Sequence, residues 1–210
     1  YEISACLVGS EMCIRDSTVD DLLWLRQSGL EAAILKLAER GTPILGVCGG
    51  YQMLGQTLDD PTGSESGRQQ TLRGLGLLPT RTVFSEQKRR AQVKATVAAP
   101  FAGAELEGYE IHTGVTEAEG EPFAHYPDGG REGCMQGNVF GTYLHGLFDT
   151  GTLTEALAGW LCRRKGIDPS DAALIPMEEY RRQQFDILAD GVRGALDMDA
   201  VYAAMGMEKH

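Results

Sequence analysis

A lone cysteine stands between paired glycines. Gly46-Val47-Cys48-Gly49-Gly50 follows the apolar run Pro43-Ile44-Leu45 and precedes Tyr51-Gln52-Met53-Leu54-Gly55. α/β enzymes hold a nucleophile in this way, on a tight turn between a sheet strand and a helix. Backbone N–H groups at a helix start stabilise negative charge, so the pattern predicts a lowered thiol pKa at Cys48. Gly49 and Gly50 let a substrate approach the backbone, and their amides can face a tetrahedral oxyanion. A buried, inert thiol is the bland alternative; the flanking glycines, for which core packing has no use, argue against it. Far downstream, Phe140-Gly141-Thr142-Tyr143-Leu144-His145-Gly146 ends an apolar strand on a histidine. His145 therefore offers a base at a strand end, where catalytic groups collect in open α/β sheets. A thiol and an imidazole on separate elements suggest covalent catalysis on an acyl group. The base would take the thiol proton and return it to a leaving amine. His112, in Gly108-Tyr109-Glu110-Ile111-His112, is the rival base, whereas His125 and His210 are read as incidental.

A third catalytic member is open. Leu147 occupies the place two residues after His145 where a carboxylate would orient the base. Asp149 is better read as a cap for a helix starting near Gly151, and Glu110 either orients a histidine or pairs with an arginine. The sequence carries no Walker lysine loop, no GxGxxG and no metal-ligand cluster, so no metal is expected. Cys134 and Cys162 are expected in the core, and Trp24, Trp160, Tyr180 and Phe185 are expected to be packing residues.

The elements that must position these groups follow from periodicity. A helix is predicted over Thr18–Gln27, with Asp20 and Asp21 in its first turn. Ser28-Gly29-Leu30-Glu31 reads as a break and capping box before a second helix, which Arg40-Gly41 ends. Strand Ile44–Val47 leads to the elbow and a helix to about Leu58. Asp59 to Gln70 reads as a loop. Strands are predicted over Gly74–Phe84, Gln92–Ala98 and Gly108–Thr113. Glu119–Gly133 reads as loop with a short strand at Phe123–Tyr126, followed by a hairpin turning at Gly137-Asn138. The last third is helical, in segments from Leu153 to near Gly166, Met177 to Arg193 and Leu196 to Met205. The order suggests an α/β sheet covered by helices.

Composition bounds the function. The chain has 210 residues, 42% hydrophobic and 23% charged, enough for a substantial globular core. A net charge of -11 with no basic stripe argues against nucleic acid as a partner. Lys88-Arg89-Arg90 is a tight basic run and is read as a solvated loop. No stretch approaches the roughly 20 apolar residues that span a bilayer, so no membrane association is expected. Five cysteines with no CxxC pair and no zinc spacing point to a reducing cytoplasm. Tyr1 to Ser17 shows no period and no cap signal and is read as a non-native segment, with the domain occupying 18–210 and starting truncated.

Six segments together carry a family resemblance: GVCGGYQMLG, DPTGSESG, GLGLLPTRTVF, GYEIHTG, VFGTYLHGLFD and QFDILADGVRGALDMDAVYAAMG. The region Thr18 to Gly206 resembles the C-terminal glutaminase domain of the cobyric acid synthase family, a class I type of glutamine amidotransferase. The resemblance implies a flavodoxin-like sheet flanked by helices, with C-terminal helices. It implies that Cys48 attacks the glutamine amide and forms a glutamyl thioester, with His145 as base. Gly49, Gly50, Gln52, Tyr109, Glu110 and His112 would form the substrate and oxyanion surroundings. It further implies an N-terminal ATP-binding synthetase domain as partner. That domain would use ATP and Mg2+ to amidate carboxylates of adenosylcobyrinic acid a,c-diamide, while this domain binds no cofactor. Most glutaminases of this class place a glutamate two residues after the histidine. The cobyric acid branch does not, so Leu147 fits it. The family's Pro-Gly-Ser-Lys-Asn-Thr loop before the first helix is missing here, so weak glutamine binding and slow hydrolysis are expected of this chain. The competing readings are the glutaminase domain of cobyrinic acid a,c-diamide synthase, the glutaminase subunit that amidates lipid II, and an unrelated cysteine α/β hydrolase.

Overall fold

The computed structural model describes residues 17–149, 152–171, 175 and 177–206. Cys6, Cys13 and His210 lie outside the described residues. Two compact units divide the chain between Leu147 and Phe148.

The first unit opens with α1 (Thr18–Gln27) and α2 (Leu30–Glu39). The Ser17 hydroxyl caps α1 by accepting from the Asp20 amide at 3.2 Å, so a residue grouped above with the leading segment starts the first helix. No side-chain box caps α2: Gly29, at φ 78°, turns the chain between the helices in a left-handed conformation that glycine adopts without strain. β1 (Ile44–Val47) enters the elbow, and α3 (Gly49–Leu54) leaves it. α3 stops four residues before the expected Leu58. The backbone becomes extended at Gly55, where a Cβ would lie 2.6 Å from Thr80 Oγ1, and the chain continues as β2 (Thr57–Asp60). With β3 (Gln70–Arg73), β2 trims the expected loop at both ends.

β4 (Thr80–Val97) and β5 (Glu105–Ala118) pair antiparallel along nearly their whole length. The Ser85–Arg90 run, mostly exposed, has no apolar alternation, which is why the pattern suggested two shorter strands; the register shifts between Val83 and Lys88. Lys88-Arg89-Arg90 thus lies in a strand rather than a loop. β6 (Ala124–His125), β7 (Arg131–Glu132), β8 (Cys134–Gln136), β9 (Val139–Thr142) and β10 (Leu144–His145) complete the unit. One sheet runs β1-β9-β8, with β1 and β9 parallel and the predicted β8–β9 hairpin antiparallel. The other runs β10-β5-β4-β2-β3, with β6 and β7 branching from β4; its one parallel pair is β2–β4. α3 packs on β1 and β9, and α1 packs on α2 and α3. The architecture is α/β with sheets flanked by helices, and parallel pairing is confined to those two strand pairs among the described residues. Val19, Leu22, Tyr51, Leu54, Leu58, Leu78, Phe84 and Cys134 bury together as its core. Each large aliphatic or aromatic side chain there contributes about 1.5–3 kcal/mol.

The second unit holds α4 (Thr152–Arg164), a 3-10 turn at Pro169–Asp171, α5 (Met177–Ala195) and α6 (Met198–Ala204), the last capped by Asp197. Asp149 forms an ion pair with Arg181, and residues 150–151, which join it to the helix it was expected to cap, lie outside the described residues. Three aromatics expected in cores are exposed instead. Trp24 faces away from the α1 side that buries Val19 and Leu22, while Tyr180 and Phe185 stand on α5, none of whose described residues is buried. Among the described residues no helix is long and apolar enough to cross a membrane.

Candidate active site

Cys48 sits at φ 54°, ψ −115°, the one positive φ outside glycine among the described residues. Such a conformation costs about 1–3 kcal/mol and persists where the surroundings over-determine it. Here the Cys48 amide donates to the Thr142 carbonyl at 2.9 Å, and its carbonyl accepts from the Gln52 amide at 3.1 Å. Gly46 does have a packing role, against the expectation: a Cβ there would come within 2.5 Å of Leu54 Cδ1 and 2.7 Å of the Gly50 carbonyl oxygen. Gly50 is different, since a Cβ at that position would meet nothing within 4 Å. Packing leaves Gly50 unexplained and leaves open space beside its backbone.

The Cys48 thiol donates to the Ile111 carbonyl at 3.4 Å. Burial pushes its pKa up; the Gly49 amide and Lys88 oppose this and Glu65 reinforces it, so the net shift is upward. The expected lowering is overturned because desolvation outweighs one backbone amide at the start of a six-residue helix. A thiol in that state needs a base.

His145 is in place on β10, paired with Tyr109 on β5, and the two rings stack at 5.0 Å and 8°. Burial first, and then His112, lower its pKa, while the Ile111 backbone works in the opposite direction. One carbonyl therefore neighbours both the thiol and the imidazole. His145 Nε2 is buried with no hydrogen-bond partner among the described residues. The close strand approach rests on Gly108, where a Cβ would fall 2.0 Å from the His145 carbonyl oxygen.

The other candidate base, His112, directly follows Ile111 on β5. His112 stacks on Tyr143 at 3.7 Å and 14°, with Nδ1 3.2 Å from the Gly114 carbonyl oxygen. It lines a polar cavity of about 560 Å³ with Lys88, Arg89, Glu110, Tyr126 and Glu132; neither Cys48 nor His145 lines that cavity. Glu110 pairs across the strands with Leu144, so it faces the opposite side of β5 from Tyr109 and His145. It binds Arg89 and the Tyr126 hydroxyl, which resolves the open choice toward pairing with an arginine. The buried Gln52 amide donates to the Thr113 carbonyl and the Tyr143 hydroxyl, both at 3.0 Å, and accepts from the Thr18 hydroxyl at 3.2 Å. It spans from α3 to β5 and β9–β10 as a brace.

Sequence reasoning missed Glu132, which it left inside a loop. Glu132 is buried, accepting from Thr142 Oγ1 at 2.8 Å and from the Tyr143 amide at 2.7 Å. Burial pushes its pKa up to about 7, against those two hydrogen bonds and with help from Glu110. It also missed Glu65, which lies near the thiol and accepts from the Thr18 amide at 2.6 Å. DPTGSESG signalled only a turn, and the buried Asp60 carboxylate builds that turn by accepting from the Glu65 and Ser66 amides at 3.1 and 2.9 Å.

Comparison with known proteins is consistent with this geometry. Residues 15–153 match the family described as the CobB/CobQ-like glutamine amidotransferase domain. A cobyric acid synthase from Lachnoclostridium phytofermentans is 40% identical over 210 residues, covering 90% of this chain and 40% of that protein. One from Klebsiella pneumoniae is 43% identical over 203 residues, covering 90% and 39%. One from Streptococcus sanguinis is 40% identical over 205 residues, covering 92% and 40%. The chain thus spans about 40% of the length of the curated relatives it matches.

Proposed function

This chain belongs to the CobB/CobQ-like glutamine amidotransferase domain family, and on that premise we propose that it is the glutaminase portion of a cobyric acid synthase. The observation that carries the reading is the Cys48 thiol on a positive-φ elbow, sharing the Ile111 carbonyl as a neighbour with His145. The raised thiol and lowered imidazole pKa values favour a neutral pair at rest, ready for transfer of one proton.

In this reading His145 takes the Cys48 proton as sulfur bonds to the carboxamide carbon of glutamine. The carbonyl oxygen becomes an oxyanion, for which the Gly49 and Gly50 amides are the available donors, with open space at Gly50. Collapse breaks the carbon–nitrogen bond. The imidazolium returns its proton to the departing nitrogen, and ammonia and a glutamyl thioester result. Water, deprotonated by His145, then cleaves the thioester to glutamate and restores the thiol. Tyr109 keeps the imidazole plane fixed by stacking. Gln52 is held by Thr113 and Tyr143, Glu110 by Arg89 and Tyr126, and His112 by stacking on Tyr143, so all three shape the walls around the site.

The ammonia would serve an ATP- and Mg2+-dependent synthetase portion, supplied by the remaining length seen in the relatives, that amidates corrinoid carboxylates. The relatives' names favour this over the cobyrinic acid a,c-diamide synthase reading. A glutamine-derived diazoketone tests the first half. It should label Cys48 in the wild-type chain and nothing in Cys48→Ser; labelling that persists in Cys48→Ser, or is absent in wild type, refutes the assignment.

A further inference from the structure

Thr142 stands between the two halves of the site. Its carbonyl accepts from the Cys48 amide at 2.9 Å. Its hydroxyl donates to one Glu132 oxygen at 2.8 Å, and the same hydroxyl oxygen accepts from the Leu144 amide at 3.0 Å. The other Glu132 oxygen accepts from the Tyr143 amide at 2.7 Å. One carboxylate, from β7, thus ties all three residues that precede His145, and through Thr142 it reaches the elbow.

Both residues are buried: Glu132, in the wall of the polar cavity, is 4% exposed and Thr142 0%. A buried carboxylate is costly unless its lone pairs are occupied, and an apolar side chain would fill the space more cheaply. What an apolar side chain cannot supply is direction. Residues 142–144 turn the chain from β9 in one sheet to β10 in the other, a segment too short to be held by strand pairing alone. Hydrogen bonds to a fixed carboxylate define that turn, and with it the placement of the imidazole relative to the sulfur.

We propose that Glu132 is a positioning residue for the thiol–imidazole pair, acting through Thr142 on the Cys48 elbow and through the Tyr143 and Leu144 amides on His145. It supplies, from a distant strand, the orientation that Leu147 does not provide from the base's own segment. The proposal rests on the Cys48–His145 reading above.

Alkylation of Cys48 by iodoacetamide, followed on the Cys48 peptide by mass spectrometry from acid to alkaline pH, tests it without requiring turnover. A well-placed imidazolium stabilises the thiolate, so loosening it raises the apparent thiol pKa and slows alkylation at neutral pH. Glu132→Ala and Thr142→Val should each slow alkylation at neutral pH about tenfold, a shift of about one pH unit in the profile. In the double variant the two effects should combine to less than their sum, because both substitutions break the Glu132–Thr142 hydrogen bond. Glu132→Gln, which keeps an acceptor for the Tyr143 amide, should stay within about twofold of wild type. His145→Ala must shift the profile at least as far. If it does not, the Cys48–His145 reading fails. If it does, while folded Glu132→Ala and Thr142→Val keep the wild-type profile or their effects add, the positioning role fails alone. Should Glu132→Ala not fold, Thr142→Val, which preserves side-chain shape, decides the matter in the same way.

Discussion

The elbow that carries Cys48 and the strand that carries His145 reach one carbonyl by opposite routes. The elbow is local: strand, strained residue and helix follow one another within Ile44–Leu54, and Gly46 exists to let α3 close on β1. The base is non-local. β10 has two residues, held by pairing with β5, by the Gly108 approach and by a carboxylate on β7. A candidate nucleophile with a strained backbone can be written into the eleven residues of Ile44–Leu54. A base whose ring must stay neutral and aimed needs neighbours gathered from across the fold.

That contrast is breakable. The largest effect should separate the two histidines: His145→Gln lowers glutamine hydrolysis by about 10²–10⁴-fold, as expected for loss of a general base. His112→Gln, which removes a ring stacked on Tyr143, should cost less than about tenfold. Comparable losses would erase the distinction between the bases. Next come the two glycines. Gly108→Ala drives a methyl toward the His145 carbonyl and should reduce turnover about 100-fold through misplacement of the base. Gly46→Ala, pressed on Leu54 and the Gly50 backbone, should instead show mainly as about 1–3 kcal/mol lost in denaturant melts. A reversed pattern would mean the elbow, not the base, is the less tolerant half.

The smallest effect is a pH dependence. Glu132, raised from 4.5 to about 7, is favoured by the fold in its protonated form. Its contribution to stability is complete below about pH 4.5 and is lost as pH rises through about 7. His145 and His112, lowered from 6.5, run the other way: their contribution is present above 6.5 and lost as pH falls through their folded values. Thermal melts of wild type against Glu132→Gln isolate the first. The wild type should lose stability relative to the variant across about pH 4.5 to 7 and run parallel to it above, and curves parallel throughout would contradict the shift.

The same contrast explains what was legible in the sequence. Cys48 could be read because glycine spacing around a strand-to-helix turn is a short-range signal, and the β8–β9 hairpin because Gly137-Asn138 is one too. His145 could be named but not separated from His112, since both sit in strand patterns and only register puts them on different surroundings. Glu132 was invisible: Arg131-Glu132-Gly133 has no period, and its burial depends on β6, β7 and the 142–144 turn coming together. The thiol pKa was misjudged because a sequence shows the amides behind a cysteine and not the desolvation around it.

The central claim is that sulfur 48 takes the glutamyl group. Acid quenching of the protein with glutamine, followed by mass spectrometry of its peptides, tests this most directly. The account predicts a glutamyl thioester on the Cys48 peptide that accumulates when water attack is slowed and is absent from Cys48→Ser. A glutamyl adduct on Cys134 or Cys162, or turnover that survives in Cys48→Ser, would contradict it.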